Sequence, residues 1–185
     1  ELYGSDLSVD FLSWVGSRLA GTVDLFHTDA EHIPYTKHFD VIGAFDVLEH
    51  IEDEKHVLRA FHEAIKPGGG VLLTVPQHMV LWSRLDDETG HKRRYRGGEL
   101  AAKVKASGFD VVFDTCFMGT LFLLQYASRR WLVSPTGSVG FEAEHTLPGP
   151  INGLLEGILS LELLLIKAGL RFPFGGMRIV AALKP

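Results

Sequence analysis

Three carboxylates follow three short apolar segments of the chain. Asp6 follows residues 2–4, Asp29 follows residues 23–26, and Asp46 follows residues 39–45. The carboxyl ends of parallel strands lie at one edge of a sheet, where α/β folds bind their ligands. A carboxylate at Asp6 could accept hydrogen bonds from both ribose hydroxyls, and one at Asp29 could receive the amine of an adenine. Singly, Asp6 is equally well explained as an acid before a helix, and Asp29 as a solvated loop residue.

The pattern of apolar residues predicts the elements that must position these carboxylates. Strands are expected at residues 2–6, 23–26, 39–45, 71–76, 109–117 and 178–183, and helices at residues 8–19, 53–66 and 98–107. The apolar residues Val57, Leu58, Phe61 and Ile65 of the second helix are expected to face the core. This alternation predicts an α/β fold, with a Rossmann-like, doubly wound, mostly parallel sheet and flanking helices. The near-continuous apolar run at residues 39–45 is typical of a parallel strand buried on both faces.

The chain of 185 residues, with 46% hydrophobic residues and a net charge of −5, is predicted to form a single domain. A helical insert at about residues 119–176 precedes the last strand, with helical stretches at about 121–131 and 151–168. The second stretch is rich in leucine, but it is below transmembrane length and contains charged residues. We expect it to pack on the sheet or form a homodimer contact rather than span a membrane. A lid over a lipid-like substrate, or peripheral membrane contact, is the alternative.

Composition restricts the partners and the compartment. The mild net acidity argues against nucleic-acid binding, which requires a clustered basic face. The single cysteine, Cys116, lies in an apolar run, which predicts a buried free thiol and a reducing, cytoplasmic environment. Nine histidines are scattered without metal-binding spacing, so no metal is expected.

Four motifs follow one another between residues 4 and 69: Gly-Ser-Asp-Leu-Ser, Asp-Ala, Phe-Asp-Val-Leu-Glu-His and Ile-Lys-Pro-Gly-Gly. Their order resembles that of the class I (Rossmann-like) S-adenosylmethionine-dependent methyltransferases, especially small-molecule enzymes of the ubiquinone and menaquinone type. The resemblance implies S-adenosyl-L-methionine as the cofactor. The cofactor-binding residues that it implies are Asp6, Leu7, Asp29, Ala30, Phe45, Asp46 and Leu48.

The chain departs from this family at its start. Family members carry an Asp/Glu-x-Gly-x-Gly-x-Gly turn that holds the methionine part of the cofactor, and no such cluster precedes Asp6. The glycines at residues 68–70 are not a substitute, because they lie between a helix and a strand. We therefore expect an N-terminally incomplete methyltransferase domain in which cofactor binding is weakened.

A second motif, Gly-His-Lys-Arg-Arg-Tyr at residues 90–95, follows an acidic run and resembles a loop over the active site of the same family. One interpretation makes His91 and His50 the catalytic bases. In that interpretation the substrate-binding residues are Glu49, His78, Arg93 and Tyr95. In the other, Arg93 and Arg94 pair with the acids at residues 86–88 and brace the loop, and we favour it for the arginines.

The function expected from the resemblance is methyl transfer to a small-molecule, lipid- or sugar-linked acceptor. One alternative is a non-catalytic Rossmann-like binding or scaffold module that has lost the cofactor turn. Another is an NAD-dependent oxidoreductase, against which we weigh the absence of a Tyr-x-x-x-Lys pair from the sequence. The sequence does not distinguish O-, N- and C-methylation.

Overall fold

The computed structural model describes residues 1–19, 21–127 and 149–185. The strands are β1 (Tyr3–Asp6), β2 (Asp24–His27), β3 (Phe39–Phe45), β4 (Ile65–Pro76), β5 (Asp110–Phe117) and β6 (Met177–Leu183). The helices are α1 (Val9–Leu19), α2 (Glu54–Ala64), α3 (Arg84–Glu88), α4 (Glu99–Ala106), α5 (Phe122–Ala127) and α6 (Gly149–Lys167). Short 3-10 turns lie at Leu48–His50 and Met79–Leu81. The loop expected between the two helical stretches of the insert lies outside the described residues.

The strands form two sheets. β1 and β2 form a parallel pair, and the larger sheet has the order β3-β4-β6-β5. β3 and β4 are parallel, whereas β6 is antiparallel to both β4 and β5. β3, β4 and β5 therefore run in the same direction. The structure confirms the predicted Rossmann-like α/β fold, although two of the three ladders in the larger sheet are antiparallel.

The hydrophobic core lies between the larger sheet and helices α2 and α4. Helix α2 begins at Asp53, whose side chain accepts a hydrogen bond from the backbone N–H of His56 at 3.1 Å. Its apolar residues recur at helical spacing, so that Val57, Leu58 and Phe61 lie on one face and are buried. They belong to the same buried cluster as residues of β4, α4 and β6. The predicted core-facing side of this helix is therefore confirmed.

The boundary between α2 and β4 lies earlier than the sequence predicted. The helix ends at Ala64 rather than residue 66, and β4 begins at Ile65 rather than residue 71. The glycines in this stretch pair as part of the strand because they allow close backbone contact. A Cβ at Gly69 would lie 2.5 Å from the carbonyl oxygen of Asp40, and one at Gly70 would lie 2.6 Å from that of Ala182.

Strand β3 is much less buried than its apolar sequence predicted. It pairs with β4 along one edge, and Val41 and Phe45 are 65% and 59% exposed. Strand β1 likewise pairs along one edge, with β2, and α1 has no buried side chains. An apolar run shows that a strand is suited to burial, but burial also needs neighbouring elements on each side. The part of the molecule that contains β1, α1 and β3 is therefore more exposed to solvent than the core around β4.

The apolar stretch near residue 151 is a helix, as predicted. Helix α6 has 19 residues and is long and apolar enough to cross a membrane, by length and composition alone. The expectation against spanning rested partly on a shorter length, and that part of the reasoning is corrected. Glu162 of α6 is buried, and its carboxylate accepts hydrogen bonds from the backbone N–H groups of Gly119 and Thr120, each at 3.2 Å. This contact fixes α6 against the beginning of the insert.

Candidate active site

A cavity of about 980 Å³ is bordered by β1 and β3. Its wall includes five of the seven residues implied as cofactor-binding, namely Asp6, Leu7, Asp29, Ala30 and Asp46. The acids come from the carboxyl ends of β1, β2 and β3, or from the loops that directly follow them. The fold therefore gathers residues that are 40 positions apart in the chain, as expected for strand ends of an α/β sheet.

The three carboxylates are oriented by local hydrogen bonds. Asp6 Oδ1 accepts from the backbone N–H of Ser8 at 2.7 Å, and Asp29 Oδ1 accepts from that of Glu31 at 2.9 Å. Asp46 has a φ of +55°, a left-handed conformation that is uncommon for a residue with a Cβ. Its Oδ1 accepts a hydrogen bond from the Thr74 hydroxyl at 3.2 Å. Asp46 therefore lies directly after β3 in a strained backbone conformation, and it lines the cavity.

Two of the residues implied as cofactor-binding lie away from the cavity wall. Leu48 is 1% exposed and belongs to the hydrophobic core, because the 3-10 turn after β3 directs its side chain inward. Phe45 is largely exposed and is not part of the wall. The structure therefore does not support a wall position for either residue, and their contacts with a cofactor stay a prediction.

The two histidines predicted to be catalytic lie together. The rings of His50 and His91 are perpendicular, with centroids 4.7 Å apart, and His50 lines the cavity. His91 Nδ1 lies 2.9 Å from Asp86 Oδ1. Burial, with a smaller contribution from His91, lowers the pKa of His50. At neutral pH, His50 is therefore an uncharged imidazole that can accept a proton at the edge of the cavity.

Glu49 lies behind the two histidines rather than on the cavity wall. It is 0% exposed, and neither carboxyl oxygen has a hydrogen-bond partner among the described residues. Its Oε1 lies 4.0 Å from His91 Nε2. Burial is the largest cause that raises the pKa of Glu49 to about 8, so the group is mainly protonated at neutral pH. The predicted contact between Glu49 and substrate is therefore not supported by its position.

Glu49, His50 and His91 each place a donor atom within 4.8 Å of the others. The expectation of no metal rested on the lack of metal-binding spacing along the chain. The fold, however, brings His91 close to Glu49 and His50, which lie about 40 residues earlier. That expectation stays a prediction.

Arg93 and Tyr95 contact a buried acid instead of facing the cavity. The Tyr95 hydroxyl donates a hydrogen bond to the Glu54 carboxylate, and Arg93 Nη1 lies 2.9 Å from Glu54 Oε1. The ammonium of Lys103 also pairs with Glu54. Burial, together with Glu54, raises the pKa of Tyr95. These contacts brace the loop, and the structure does not support the predicted substrate contacts of Arg93 and Tyr95.

The predicted pairing of the arginines is correct for one of them. Arg94 Nε lies 2.7 Å from Asp86 Oδ1, whereas Arg93 pairs with Glu54 rather than with the acids at residues 86–88. Sequence reasoning did not identify Asp86 as the residue that contacts both His91 and Arg94. The sequence feature that could have indicated this contact is the position of Asp86 in the acidic run, five residues before His91.

His78, predicted to bind substrate, follows β4 with a φ of +62°. Its ring packs edge-on against Phe122, with centroids 5.4 Å apart, and it is not part of the cavity wall. Its buried Nε2 has no hydrogen-bond partner among the described residues. Burial, followed by Arg178 and Arg94, lowers the pKa of His78. A substrate contact at His78 stays a prediction.

A Rossmann-like sheet with acidic side chains at successive strand ends defines the class of nucleotide-binding α/β domains. The family model described as a methyltransferase domain matches residues 2–113. The chain belongs to this family, the class I S-adenosylmethionine-dependent methyltransferases, whose cofactor is S-adenosyl-L-methionine.

Curated relatives match short segments. Phosphoethanolamine N-methyltransferase 3 of Arabidopsis thaliana is 35% identical over 78 residues, which cover 40% of this chain and 16% of that protein. Ubiquinone biosynthesis O-methyltransferase of Pseudomonas aeruginosa is 44% identical over 45 residues, which cover 24% of this chain and 18% of that protein. The matched segments thus span less than a fifth of these relatives.

Solved structures share the fold. Phosphoethanolamine N-methyltransferase 2 of Haemonchus contortus, in complex with S-adenosyl-L-methionine, has a TM-score of 0.61 and 21% identity, covering 99% of this chain and 43% of that chain. An S-adenosylmethionine-dependent methyltransferase from Mesorhizobium loti has a TM-score of 0.61 and 15% identity, covering 98% of this chain and 79% of that chain.

Proposed function

We propose that this chain transfers the methyl group of S-adenosyl-L-methionine to an acceptor that is a small molecule or a lipid- or sugar-linked compound. The observation that carries the proposal is one cavity whose wall combines the strand-end acids Asp6 and Asp29 with His50. The acids hold the ribose and the adenine, and Leu7 offers an apolar surface beside them. The cofactor supplies an already activated methyl group, so the protein has to align the acceptor and remove its proton.

The acceptor is expected to carry an O–H or N–H group. His50 lines the cavity as a neutral imidazole, which is the state that accepts a proton from such a group. The names of the relatives fit both chemistries, since one is an N-methyltransferase and the other an O-methyltransferase. A neutral base at the wall supports an acceptor whose nucleophile loses a proton during transfer.

Cofactor affinity should depend on a turn that these 185 residues lack. Backbone amides of a glycine-rich turn would hold the methionine carboxylate, and no Gly-x-Gly sequence precedes Asp6. We expect the chain as it stands to bind through its contacts to the ribose and adenine, with reduced affinity.

Calorimetry with S-adenosylhomocysteine tests the proposal. We expect the chain to bind this ligand with an affinity weaker than micromolar. Absence of binding at millimolar ligand would contradict the proposal and favour a non-catalytic binding module. Binding of NADH instead would favour the oxidoreductase.

A transfer assay with methyl-labelled cofactor tests the role of His50. We expect His50→Ala to lower turnover on hydroxyl or amine acceptors by about 100-fold, the usual range for loss of a general base. His56→Ala is the matched control, since this exposed histidine of α2 bonds to the carbonyl of Glu31. Equal turnover of the two variants would rule out His50 as the base.

The proposed partners and location remain those expected from the sequence: a cytoplasmic protein that contacts a second copy through residues 151–168 or a membrane surface. The exposed leucines of α6, such as Leu154 and Leu164, support an apolar contact. Light scattering across protein concentration tests the dimer, and co-sedimentation with anionic vesicles tests the membrane contact. A monomer that leaves vesicles unbound would contradict both.

A further inference from the structure

Asp86 is a buried carboxylate that contacts His91, the histidine beside the candidate base His50, from outside the cavity. It is 1% exposed, and its Oδ1 lies 2.9 Å from His91 Nδ1. The backbone N–H of His91 also donates to the Asp86 carbonyl oxygen at 2.8 Å. Both the backbone and the ring of His91 are thus held by the same residue.

Asp86 is fixed in its ionised form. Its Oδ1 accepts from Arg94 Nε at 2.7 Å, and its Oδ2 accepts from the backbone N–H of Ser83 at 2.9 Å. Burial alone would raise the pKa of Asp86, but the Arg94 charge and these hydrogen bonds outweigh it and lower the pKa. An ionised carboxylate has acceptors and no donor.

This charge state determines the tautomer of His91. Because Asp86 can only accept, His91 Nδ1 must carry the hydrogen at their 2.9 Å contact. In the neutral ring, Nε2 is then the nitrogen with the free lone pair. That nitrogen faces Glu49, whose Oε1 lies 4.0 Å away and has no hydrogen-bond partner among the described residues.

A backbone hydrogen bond also holds the loop that contains His91 against Glu49. The N–H of Lys92 donates to the Glu49 carbonyl oxygen at 2.8 Å. The charged and titratable groups that face the Glu49 carboxyl are Asp46, His50, Asp86, His91 and Arg94. Among them His91 is the one with a nitrogen at 4.0 Å, so Glu49 is positioned to accept a hydrogen bond from a protonated Nε2.

We propose that Asp86 is a positioning residue that fixes His91 in its Nδ1–H tautomer, so that Nε2 receives the acceptor's proton from His50 and then bonds to Glu49. The proposal deepens the proposed function and rests on it. The acceptor's O–H or N–H bond breaks as its oxygen or nitrogen bonds to the methyl carbon, and sulfur keeps the electron pair of the broken C–S bond. The proton moves to His50 at the cavity wall and on to His91, whose imidazolium lies between Asp86 and Glu49.

Nitrogen-15 NMR of the histidine rings tests this assignment without an acceptor. The chain is labelled at histidine, with S-adenosylhomocysteine as the probe ligand. In the wild-type chain we expect the neutral His91 ring to carry its hydrogen on Nδ1 and none on Nε2. Asp86→Asn should shift His91 toward the Nε2–H tautomer, with S-adenosylhomocysteine affinity within about twofold of wild type, because Asp86 does not line the cavity.

Asp87→Asn is the matched control. Asp87 is exposed, accepts a hydrogen bond from the Trp82 indole at 3.1 Å, and should leave the His91 tautomer unchanged. A wild-type His91 in the Nε2–H form would overturn the proposal, and this readout stands even if Asp86→Asn does not fold. Tightly bound stoichiometric metal that is lost in His91→Ala would also overturn it. Failure of the wild-type protein to bind S-adenosylhomocysteine would instead contradict the proposed function.

Discussion

The two sides of the candidate active site are built in opposite ways. The side that we propose to hold the cofactor is the open cavity, bordered by strands that each pair along one edge, and its wall includes exposed apolar residues such as Leu7 and Val41. The other side is a buried network, which we define as Glu49, Glu54, Asp86, Arg94 and Tyr95. No residue of the network is more than 7% exposed.

Because of this difference, we expect ligand affinity and folding stability to depend on different residues. Side chains on the cavity wall contribute little to packing, so their substitution should change ligand binding more than folding. In the network, polar groups have been removed from water and depend on one another for hydrogen bonds and opposite charge. Substitutions there should change folding more than ligand binding. Each of the following experiments tests one side of this comparison.

The largest effect is expected from Asp86→Ala. The substitution removes the carboxylate that pairs with the buried Arg94 and bonds to His91 and Ser83. Breaking a buried ion pair in this way should lower the free energy of unfolding by on the order of 3–5 kcal/mol. Urea unfolding measures the change. The control Asp87→Ala removes an exposed carboxylate, and an equal loss in both variants would contradict the buried network.

Glu49→Gln should change how stability depends on pH. Burial raises the pKa of Glu49 from its ordinary value of 4.5 to about 8 in the folded chain, so between these pH values the unfolded chain releases a proton that the folded chain keeps. Stability therefore falls as pH rises through this window, by about 1.4 kcal/mol for each unit of pKa difference. Glu49→Gln should remove most of that fall.

The pH dependence is measured by urea unfolding at about pH 4 and about pH 9, which lie below and above the window between the two pKa values. Glu63→Gln, an exposed change on α2, is the control and should keep the wild-type dependence. If Glu49→Gln and wild type lose stability in parallel, Glu49 does not titrate as described.

Tyr95→Phe should lower stability by about 1–2 kcal/mol, because it removes the hydroxyl that donates to the buried Glu54. S-adenosylhomocysteine affinity should be unchanged, since Tyr95 is not on the cavity wall. Unfolding and calorimetry are measured on the same sample. Tyr35→Phe, which removes a hydroxyl from a half-buried ring, is the control. A loss of ligand affinity at unchanged stability would contradict the position of Tyr95 away from the cavity wall.

The smallest effect on energy is expected from Asp29→Asn on the cavity wall. Loss of a charged acceptor for the adenine amine should weaken S-adenosylhomocysteine binding by about tenfold, with the unfolding free energy changed by less than about 0.5 kcal/mol. Asp110→Asn, at the exposed start of β5, is the control for calorimetry. A destabilised Asp29→Asn with wild-type affinity would break the separation between the two sides.

Several features were predictable because they depend on local sequence. The apolar face of α2, the strand Phe39–Phe45 and the free buried Cys116 follow from periodicity and composition, and the structure confirms them. The strand-end position of Asp6, Asp29 and Asp46 followed from the same periodicity, and all three line one cavity. Their contacts with a cofactor stay a prediction.

Other features depended on which element packs against which. Leu48 and Asp46 are two residues apart, yet one lies in the core and the other on the cavity wall, because a 3-10 turn begins between them. Arg93 and Arg94 are neighbours, yet they pair with Glu54 and Asp86 from different helices. Sequence periodicity contains no information about such partners, since they are distant along the chain.

The sequence by itself determined the family, the order of the strands and of the described helices other than α3, and the acids at the strand ends. These follow from hydrophobic periodicity and short motifs, which act over a few residues. The tertiary structure decided that β1 and β3 each pair along one edge, that His50 lies against His91, and that Asp86 contacts the Nδ1 of that ring. Those contacts arise from long-range packing, in which burial and charge select among partners that local sequence leaves equivalent.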